Sequence, residues 1–297
     1  MRLKADLTLL LVAIIWGSAF ITQGIAAQYH LAYLFNGVSF MLAAVILIPF
    51  IPRQEKPPEA QYKWMLIAGA VLFIGSALQQ VGIFYTKVAN AGFLTSLYTV
   101  FTPFILWALF REKAHWVDLV AVSVASVGAF LLSTAGSFHI QAGDALEVAG
   151  AVFWALHFVV LGKFASRFEP VSFAAGQFMV GGLFNFMIGL ATENLGLLAP
   201  LPVIGAVLYR AVFSIGIGYT LQVWSQHHTP PTDAALILSL EGVFAMLAGW
   251  VMLHQSLLPI QLLGCLIIFS AVLFSQIKGL KPAQVNQVLE SQQETRE

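Results

Sequence analysis

Long apolar segments recur along the whole chain, and they limit its possible folds more than any other feature. A helix needs roughly 20 mostly apolar residues to cross a lipid bilayer. Ten such segments are separated by short breaks that carry Pro, Gly, His or charged residues. They lie near residues 7–27, 31–51, 63–85, 90–110, 116–134, 145–163, 172–192, 203–226, 232–253 and 259–277. The sequence therefore predicts an all-α integral membrane protein with ten transmembrane helices.

The composition argues against several other classes of protein. Of the 297 residues, 59% are hydrophobic and only 9% are charged, which is far from the composition of a soluble domain. Ten helices use about 200 positions, so no room is left for a soluble catalytic domain. The formal net charge is zero, so no nucleic-acid partner is expected. Cys265 is the single cysteine, and neither a phosphate-binding loop nor a metal-ligand spacing in the sequence indicates a cofactor.

The distribution of basic residues predicts the orientation, because Lys and Arg are retained on the cytoplasmic side of a membrane. With a cytoplasmic N-terminus, the opposite loops contain Lys87 alone and one span contains Arg210. The other 12 of the 14 basic residues then lie on the cytoplasmic side. Both termini are therefore predicted to be cytoplasmic, and residues 279–297 to form a polar cytoplasmic tail.

The two halves of the chain are similar to each other. A shift of 143 positions matches Gly75 with Gly218, Gln79 with Gln222, Thr86 with Thr229, Ala91 with Ala234, Leu97 with Leu240, Val100 with Val243, Phe101 with Phe244 and Trp107 with Trp250. A shift of 138 positions matches Asp6 with Asp144, Ala13 with Ala151, Trp16 with Trp154 and Phe20 with Phe158. Because five is odd, a second five-helix unit enters the membrane in the opposite direction. We therefore predict two inverted five-helix repeats, residues 5–134 and 144–278, an architecture that recurs in secondary transporters.

Several short motifs resemble those of a known family. They are WGSAF at residues 16–20, Pro103 followed by Glu112 after the fourth span, and LSLEGVF at residues 238–244. Together with the ten spans and the duplication, they make the chain similar to the EamA-type transporters of the drug/metabolite transporter (DMT) superfamily. The chain departs from the family pattern at Gly242, where a Pro is common, and at Gln255, where a second Glu is common. The resemblance implies an inner-membrane carrier of a small organic metabolite, often an exporter of amino acids or related compounds.

Glu241 is the strongest candidate for a substrate-binding residue. It lies about nine residues into the ninth span, so the helix rise places it roughly 13 Å deep, near the middle of the bilayer. A carboxyl group at that depth normally faces the bundle interior and marks a substrate or proton path. The alternative is a Glu that only ties helices together. His157 of the sixth span is predicted at a similar depth, either on a proton path with Glu241 or bonded to a neighbouring hydroxyl or carbonyl.

Four further residues complete the predicted site. Arg210 lies about seven residues into the eighth span, where it binds a substrate carboxylate, pairs with Glu241 or snorkels to the interface. Trp16 and Tyr98 occupy repeat-matched positions, and their rings suit a flat or cationic substrate, although most aromatic residues in such a chain pack between helices. Gln79 is also repeat-matched and is expected to line the path or to bond between helices.

These residues and the inverted repeat favour an alternating-access carrier of a small polar, amphipathic or drug-like solute. The resemblance implies that it moves the solute outward across a bacterial inner membrane. Protons are the candidate coupling ion. An intramembrane enzyme is a second class of function, but the H-E-x-x-H and G-x-S-x-G motifs do not occur and no carboxylate pair is expected within the spans. A membrane channel is a third class. The sequence leaves open the substrate, the direction, the coupling ion and whether two copies form a homodimer.

Overall fold

The computed structural model describes residues 1–52, 58–86, 88–134, 141–253 and 258–275, and within these ranges the regular elements are helices. The predicted polar tail, the family departure at Gln255 and the basic residue Lys87 lie outside the described residues. The predicted orientation therefore rests on the sequence.

The described part of the first half contains six α-helices. They are α1 (Arg2–Gln28), α2 (Tyr33–Leu47), α3 (Glu59–Gly82), α4 (Val88–Ser96), α5 (Tyr98–Phe110) and α6 (Trp116–Thr134). The second half contains seven α-helices and one π-helix. They are α7 (Asp144–Phe164), α8 (Pro170–Thr192), α9 (Leu201–Tyr209), the π-helix (Arg210–Tyr219), α10 (Thr220–Ser225), α11 (Pro231–Leu238), α12 (Glu241–Leu253) and α13 (Pro259–Ser275).

Eight helical segments within the described ranges are long and apolar enough to cross a membrane. Two shorter apolar helices, Trp116–Leu132 and Pro259–Ser275, occupy the positions of the predicted fifth and tenth spans. Large apolar side chains such as Phe104, Met187 and Leu266 are exposed on the outside of the bundle, where lipid would cover them. The chain is a multi-pass membrane protein, and the count of ten crossings stays a prediction.

Two predicted spans are broken in the middle, and the two breaks are alike. The fourth span is divided into α4 and α5 at Leu97, and the ninth into α11 and α12 at residues 239–240. Ser96 Oγ donates to Phe93 O at 2.6 Å, and the repeat-matched Ser239 Oγ donates to Leu236 O at 2.7 Å. A hydroxyl that bonds a carbonyl of the preceding turn competes with the backbone ladder, and both breaks carry such a bond.

The eighth predicted span differs from a regular helix in another way. Its central ten residues, Arg210–Tyr219, form a π-helix between α9 and α10. A π-helical turn is wider than an α-helical one and is often found at functional sites. It changes which residues of this span share a face, and it turns Arg210, Ser214 and Tyr219 towards the centre of the bundle.

The packing brings the broken spans to the centre of the bundle. Helix α2 packs against α8, α3 against α7 and α8, α1 against the π-helix and α12, and α5 against α7. Gly17 of α1 allows the close approach of α12, because a Cβ atom at this position would lie only 2.7 Å from the backbone oxygen of Glu241. The start of α12 is therefore held directly against α1.

Candidate functional site

A pocket lies where the broken helices, the π-helix, α1, α3 and α7 meet. The space between its side chains measures about 510 Å³ when its open mouth is included. Its lining combines aromatic rings with a few polar and two ionisable side chains that carry opposite charges when ionised, as in many small-molecule sites. The lining residues are Trp16, Ala19, Phe20, Gln23, Gln79, Thr95, Tyr98, Trp154, Phe158, Arg210, Ser214, Tyr219 and Glu241.

Glu241 and Tyr98 meet each other at the pocket. Tyr98 Oη donates a hydrogen bond to Glu241 Oε1 at 3.1 Å, and the two residues are 2% and 6% exposed, respectively. Each is the first residue of the second part of a broken span, since Tyr98 begins α5 and Glu241 begins α12. They are also repeat-matched by the shift of 143 positions, so corresponding points of the two halves are in direct contact.

Arg210 contributes the basic group of the pocket. It is only 7% exposed, so it does not reach the surface as the snorkelling alternative requires. Its guanidinium lies 4.7 Å from the ring centroid of Phe35 and 5.6 Å from that of Phe40. Nη1 has no hydrogen-bond partner among the described residues, and the predicted pair with Glu241 is not formed there. A nearly buried guanidinium with a free donor is suited to bind an anionic group.

The aromatic wall of the pocket is centred on Tyr219. Its ring centroid lies 4.5 Å from that of Trp16 and 6.2 Å from that of Trp154. Trp16 Nε1 donates to the backbone oxygen of Ser214 at 3.0 Å, which fixes the indole against the π-helix. Tyr219 had no signal in the sequence, because its position in the pocket follows from the wider π-helical turn.

The two tryptophans of the wall make matching contacts with glycines. A Cβ atom at Gly218 would lie 2.6 Å from Trp16 Nε1, and one at Gly75 would lie 3.4 Å from a ring carbon of Trp154. Trp16 corresponds to Trp154, and Gly218 to Gly75, by the two sequence shifts. The absence of a side chain at Gly218 thus allows the Trp16 indole to lie against the π-helix, whereas Gly75 places Trp154 at ordinary contact distance from α3.

Gln79 extends from the pocket to a second acidic residue. Its Nε2 donates to Thr95 Oγ1 at 3.4 Å, and Thr95 Oγ1 donates to Glu147 Oε2 at 3.1 Å. Glu147 lies in the first turn of α7 and is 0% exposed. Glu241 is therefore not the single buried acid that the sequence analysis favoured. The sequence pattern gives no signal for Glu147, because this residue begins an apolar segment and its repeat match is the apolar Leu9.

His157 lies behind the aromatic wall and is not among the residues that line the pocket. Its Nε2 lies 2.9 Å from Gln177 Oε1, and its ring centroid is 6.1 Å from that of Tyr219. Of the two alternatives for His157, the structure matches a histidine bonded to a neighbouring polar group. The described hydrogen bonds do not connect His157 with Glu241 directly, because Tyr219 packs between the imidazole and the pocket.

Two repeat-matched hydrogen bonds lie at opposite ends of the bundle. Thr229 Oγ1 donates to Asp6 Oδ1 at 2.7 Å, and Thr86 Oγ1 donates to Asp144 Oδ1 at 2.5 Å. The first bond joins the loop after α10 to α1, and the second joins the turn after α3 to α7. The sequence matched Asp6 with Asp144 and Thr86 with Thr229, but it did not show that these residues meet.

No group of three or more His, Cys, Asp or Glu side chains that could hold a metal ion occurs in the part of the chain that the structure describes. The polar groups of the site are instead distributed around the walls of one open pocket. This arrangement is suited to bind and release a solute, because an acidic, a basic and several aromatic side chains line the same pocket.

Comparison with known proteins gives a consistent result. The model of the EamA-like transporter family matches residues 3–134 and again residues 141–276. An uncharacterized transporter of Archaeoglobus fulgidus is 33% identical over 277 residues, which cover 93% of this chain and 87% of that protein. The threonine/homoserine exporter RhtA of Escherichia coli is 25% identical over 224 residues, which cover 73% and 74% of the two chains. A solved crystal structure of a protein 16% identical in sequence has the same fold, with a TM-score of 0.78 over 95% of this chain and 100% of the other.

Proposed function

Because the chain belongs to the EamA-like transporter family of the DMT superfamily, we propose that it is a secondary transporter that exports a small organic metabolite by alternating access. The solute is an amino acid or a related compound. The protein lies in the plasma membrane and has ten transmembrane helices in two inverted repeats, with both termini in the cytoplasm.

The observation that carries this proposal is the composition of the pocket. Glu241 and Arg210 face the same space from α12 and the π-helix, and aromatic rings also line that space. A zwitterion would place its ammonium group at Glu241 and the aromatic rings, and its carboxylate at Arg210. Gln79 would bond a polar part of the solute, while Trp16 and Tyr98 would shape the pocket around its side chain.

His157 has an indirect part in this scheme. Its ring centroid lies 6.3 Å from that of Trp154, and its bond with Gln177 connects α7 with α8. It would therefore position Trp154 and Tyr219 and would not contact the solute.

Alternating access is supported by contacts that recur in both halves. The Asp6–Thr229 and Asp144–Thr86 bonds would close the cytoplasmic and outer ends, respectively. Because each is the repeat counterpart of the other, breaking one while keeping the other would open the pocket to one side at a time. The contact between Tyr98 and its counterpart Glu241 would lie near the axis that relates the halves.

The class of solute is supported by one relative. The name of RhtA describes a threonine/homoserine exporter, and that protein is related over about three quarters of each chain. Both of its named solutes are zwitterions with a hydroxyl group, which is the chemistry that the carboxylate, guanidinium and amide of this pocket would bind. We therefore place threonine and homoserine first among the candidates.

The test is thermal unfolding of the purified protein with threonine, homoserine, nucleosides, sugars and cationic drugs. A solute at about 100 times its dissociation constant should stabilise the protein by roughly 2.7 kcal/mol. We expect one chemical class to raise the melting temperature of the wild type and of Glu59→Gln, whose carboxyl group is exposed at the start of α3. We expect Glu241→Gln to lose that response.

Efflux of the same solute from proteoliposomes then tests transport. Saturation of the rate and stimulation by solute on the opposite side distinguish a carrier from a channel. The proposal fails if the panel leaves the melting temperature unchanged, or if the flux rises linearly with concentration.

A further inference from the structure

Glu147 has no role in the binding scheme above, although it is fully buried beside the pocket. Thr95 Oγ1 donates to its Oε2, while its Oε1 has no hydrogen-bond partner among the described residues. A buried carboxylate with one unbonded oxygen is costly in free energy, and binding of a positive species to that oxygen removes the cost. The position of Oε1 therefore points to a ligand.

The packing around Oε1 limits the size of that ligand. A Cβ atom at Gly82 would lie 2.5 Å from Oε1, so the backbone of α3 is packed against the carboxyl group. A hard metal cation needs about six oxygen ligands, and no cluster of three or more acidic, His or Cys residues is found within the described ranges. A proton fits this space, since it adds no volume and neutralises the charge.

The groups that face Glu147 from the neighbouring helices do not titrate. They are Gln79 and Gly82 of α3 and Thr95 of α4. The ionisable residues of α3 itself, Glu59, Tyr62 and Lys63, lie at its opposite end. One turn away on α7, Asp144 accepts hydrogen bonds from Thr86 and the backbone of Gln141.

The remaining helices packed on α7 direct their ionisable groups elsewhere. Tyr98 of α5 bonds Glu241, and Asp233 of α11 pairs with Arg2 at the other end of the bundle. Lys87 lies outside the described residues. Asp144 is therefore the ionisable neighbour of Glu147 in the described structure.

A defined chain of donors connects Glu147 with the pocket. Gln79 donates to Thr95, and Thr95 donates to Glu147. An ionised carboxylate would hold the Thr95 hydroxyl about twice as strongly as a neutral acid does, and Thr95 would in turn hold the amide of Gln79. Protonation of Glu147 would loosen this chain and free the Gln79 amide to bond a solute.

We propose that Glu147 is a proton-binding site and that Thr95 and Gln79 couple it to the pocket. The step forms one O–H bond on the Glu147 carboxylate with a proton from the aqueous phase, and no other bond changes. Because coupling is reciprocal, a solute that takes the Gln79 amide would in turn change the proton affinity of Glu147. The coupling to solute rests on the proposed function, whereas the proton site rests on the geometry around Glu147.

Infrared spectroscopy of the protein in lipid bilayers tests the proton site, because a protonated carboxyl group has a C=O band that a carboxylate lacks. At neutral pH we expect such a band in the wild type and in Glu241→Gln, and its loss in Glu147→Gln. Thr95→Val should shift the band by removing a hydrogen bond, and Thr95→Ser should leave it in place. The Thr95 pair provides the test even if Glu147→Gln does not fold.

The coupling is tested by adding L-threonine to the same samples. We expect threonine to shift the Glu147 band in the wild type and to leave it unchanged in Gln79→Leu. A band that persists in Glu147→Gln, or that ignores Thr95→Val, overturns the proton site. A band that behaves as expected in a protein whose melting temperature does not respond to threonine overturns the proposed solute and leaves the proton site standing.

Discussion

The two Asp–Thr bonds predict opposite effects when their hydroxyl groups are removed. Thr229→Val deletes the donor to Asp6, and Thr86→Val deletes the donor to Asp144, while both keep the volume of the side chain. A hydrogen bond to a charged group contributes about 1.5–3 kcal/mol. The Asp6 bond is partly buried and the Asp144 bond is buried, so we place them at the lower and upper ends of that range.

These free energies convert into populations. Since each 1.4 kcal/mol is a factor of ten, Thr229→Val should favour opening of the cytoplasmic end by about 10-fold. Thr86→Val should favour opening of the outer end by about 100-fold. The Ser variants at both positions retain the hydroxyl and should resemble the wild type.

Labelling of a single cysteine measures both openings. Cys265 is the only native cysteine, so Cys265→Ala gives a background for Ala19→Cys, a position that lines the pocket. A membrane-impermeant maleimide should label Thr229→Val faster from the cytoplasmic side of oriented vesicles, and Thr86→Val faster from the outer side. If both variants accelerate labelling from the same side, or neither does, the two bonds do not close the two ends.

Three further outcomes follow from the geometry. Gly17→Ala should lower the free energy of unfolding by about 1–3 kcal/mol and abolish solute-induced stabilisation, because its Cβ would lie 2.7 Å from the α12 backbone. The control, Gly24→Ala on the same helix, has open space around its Cβ and should be neutral in the same melting assay. Arg210→Met should leave the melting temperature unchanged or raise it, because an unpaired buried charge is costly. Stabilisation by threonine should be lost in this variant, while any stabilisation by threoninamide is retained. A large drop in melting temperature would assign Arg210 a structural role instead. Burial and the neighbouring His228 lower the pKa of His227 below 6.5. The neutral imidazole therefore contributes its full stability above that pH, and this contribution is lost as the pH falls below it. The melting temperature of His227→Asn should fall less than that of the wild type between neutral and mildly acidic pH, and equal slopes would contradict this assignment.

The sequence predicted much of the pocket because depth and repeat symmetry are properties of the linear chain. The shift of 143 positions matches Tyr98 with Glu241, and these two residues are in contact in the structure. The shift of 138 positions matches Trp16 with Trp154, and both line the pocket. An inverted repeat places corresponding residues around a common axis, so matched polar or aromatic positions near mid-span converge there.

Other parts of the site depend on backbone geometry that hydrophobic patterns do not encode. A π-helix leaves the run of apolar residues unchanged but rotates the residues after it, which is why Tyr219 was not predicted. A serine that bonds the preceding turn marks the breaks before Tyr98 and Glu241, but Ser76 makes the same bond within the continuous helix α3, so the sequence does not reveal the breaks. The burial of Glu147 depends on the packing of α3 and α4 against α7, which the sequence does not encode locally.

One difference between the two ends of the bundle has a consequence for the cell. At the end that the sequence predicts to be cytoplasmic, Arg2 pairs with Asp233 and also bonds Asp6, in addition to the Asp6–Thr229 bond. In the sequence, the repeat counterparts of Arg2 and Asp233 are the uncharged residues Ile140 and Asn90. Salt screens exposed charges that lie farther apart than about 8–10 Å, and it acts much less on a contact pair whose carboxyl group is buried, as Asp233 is. The ion pairs at the predicted cytoplasmic end would therefore keep most of their strength when the salt concentration in the cell changes.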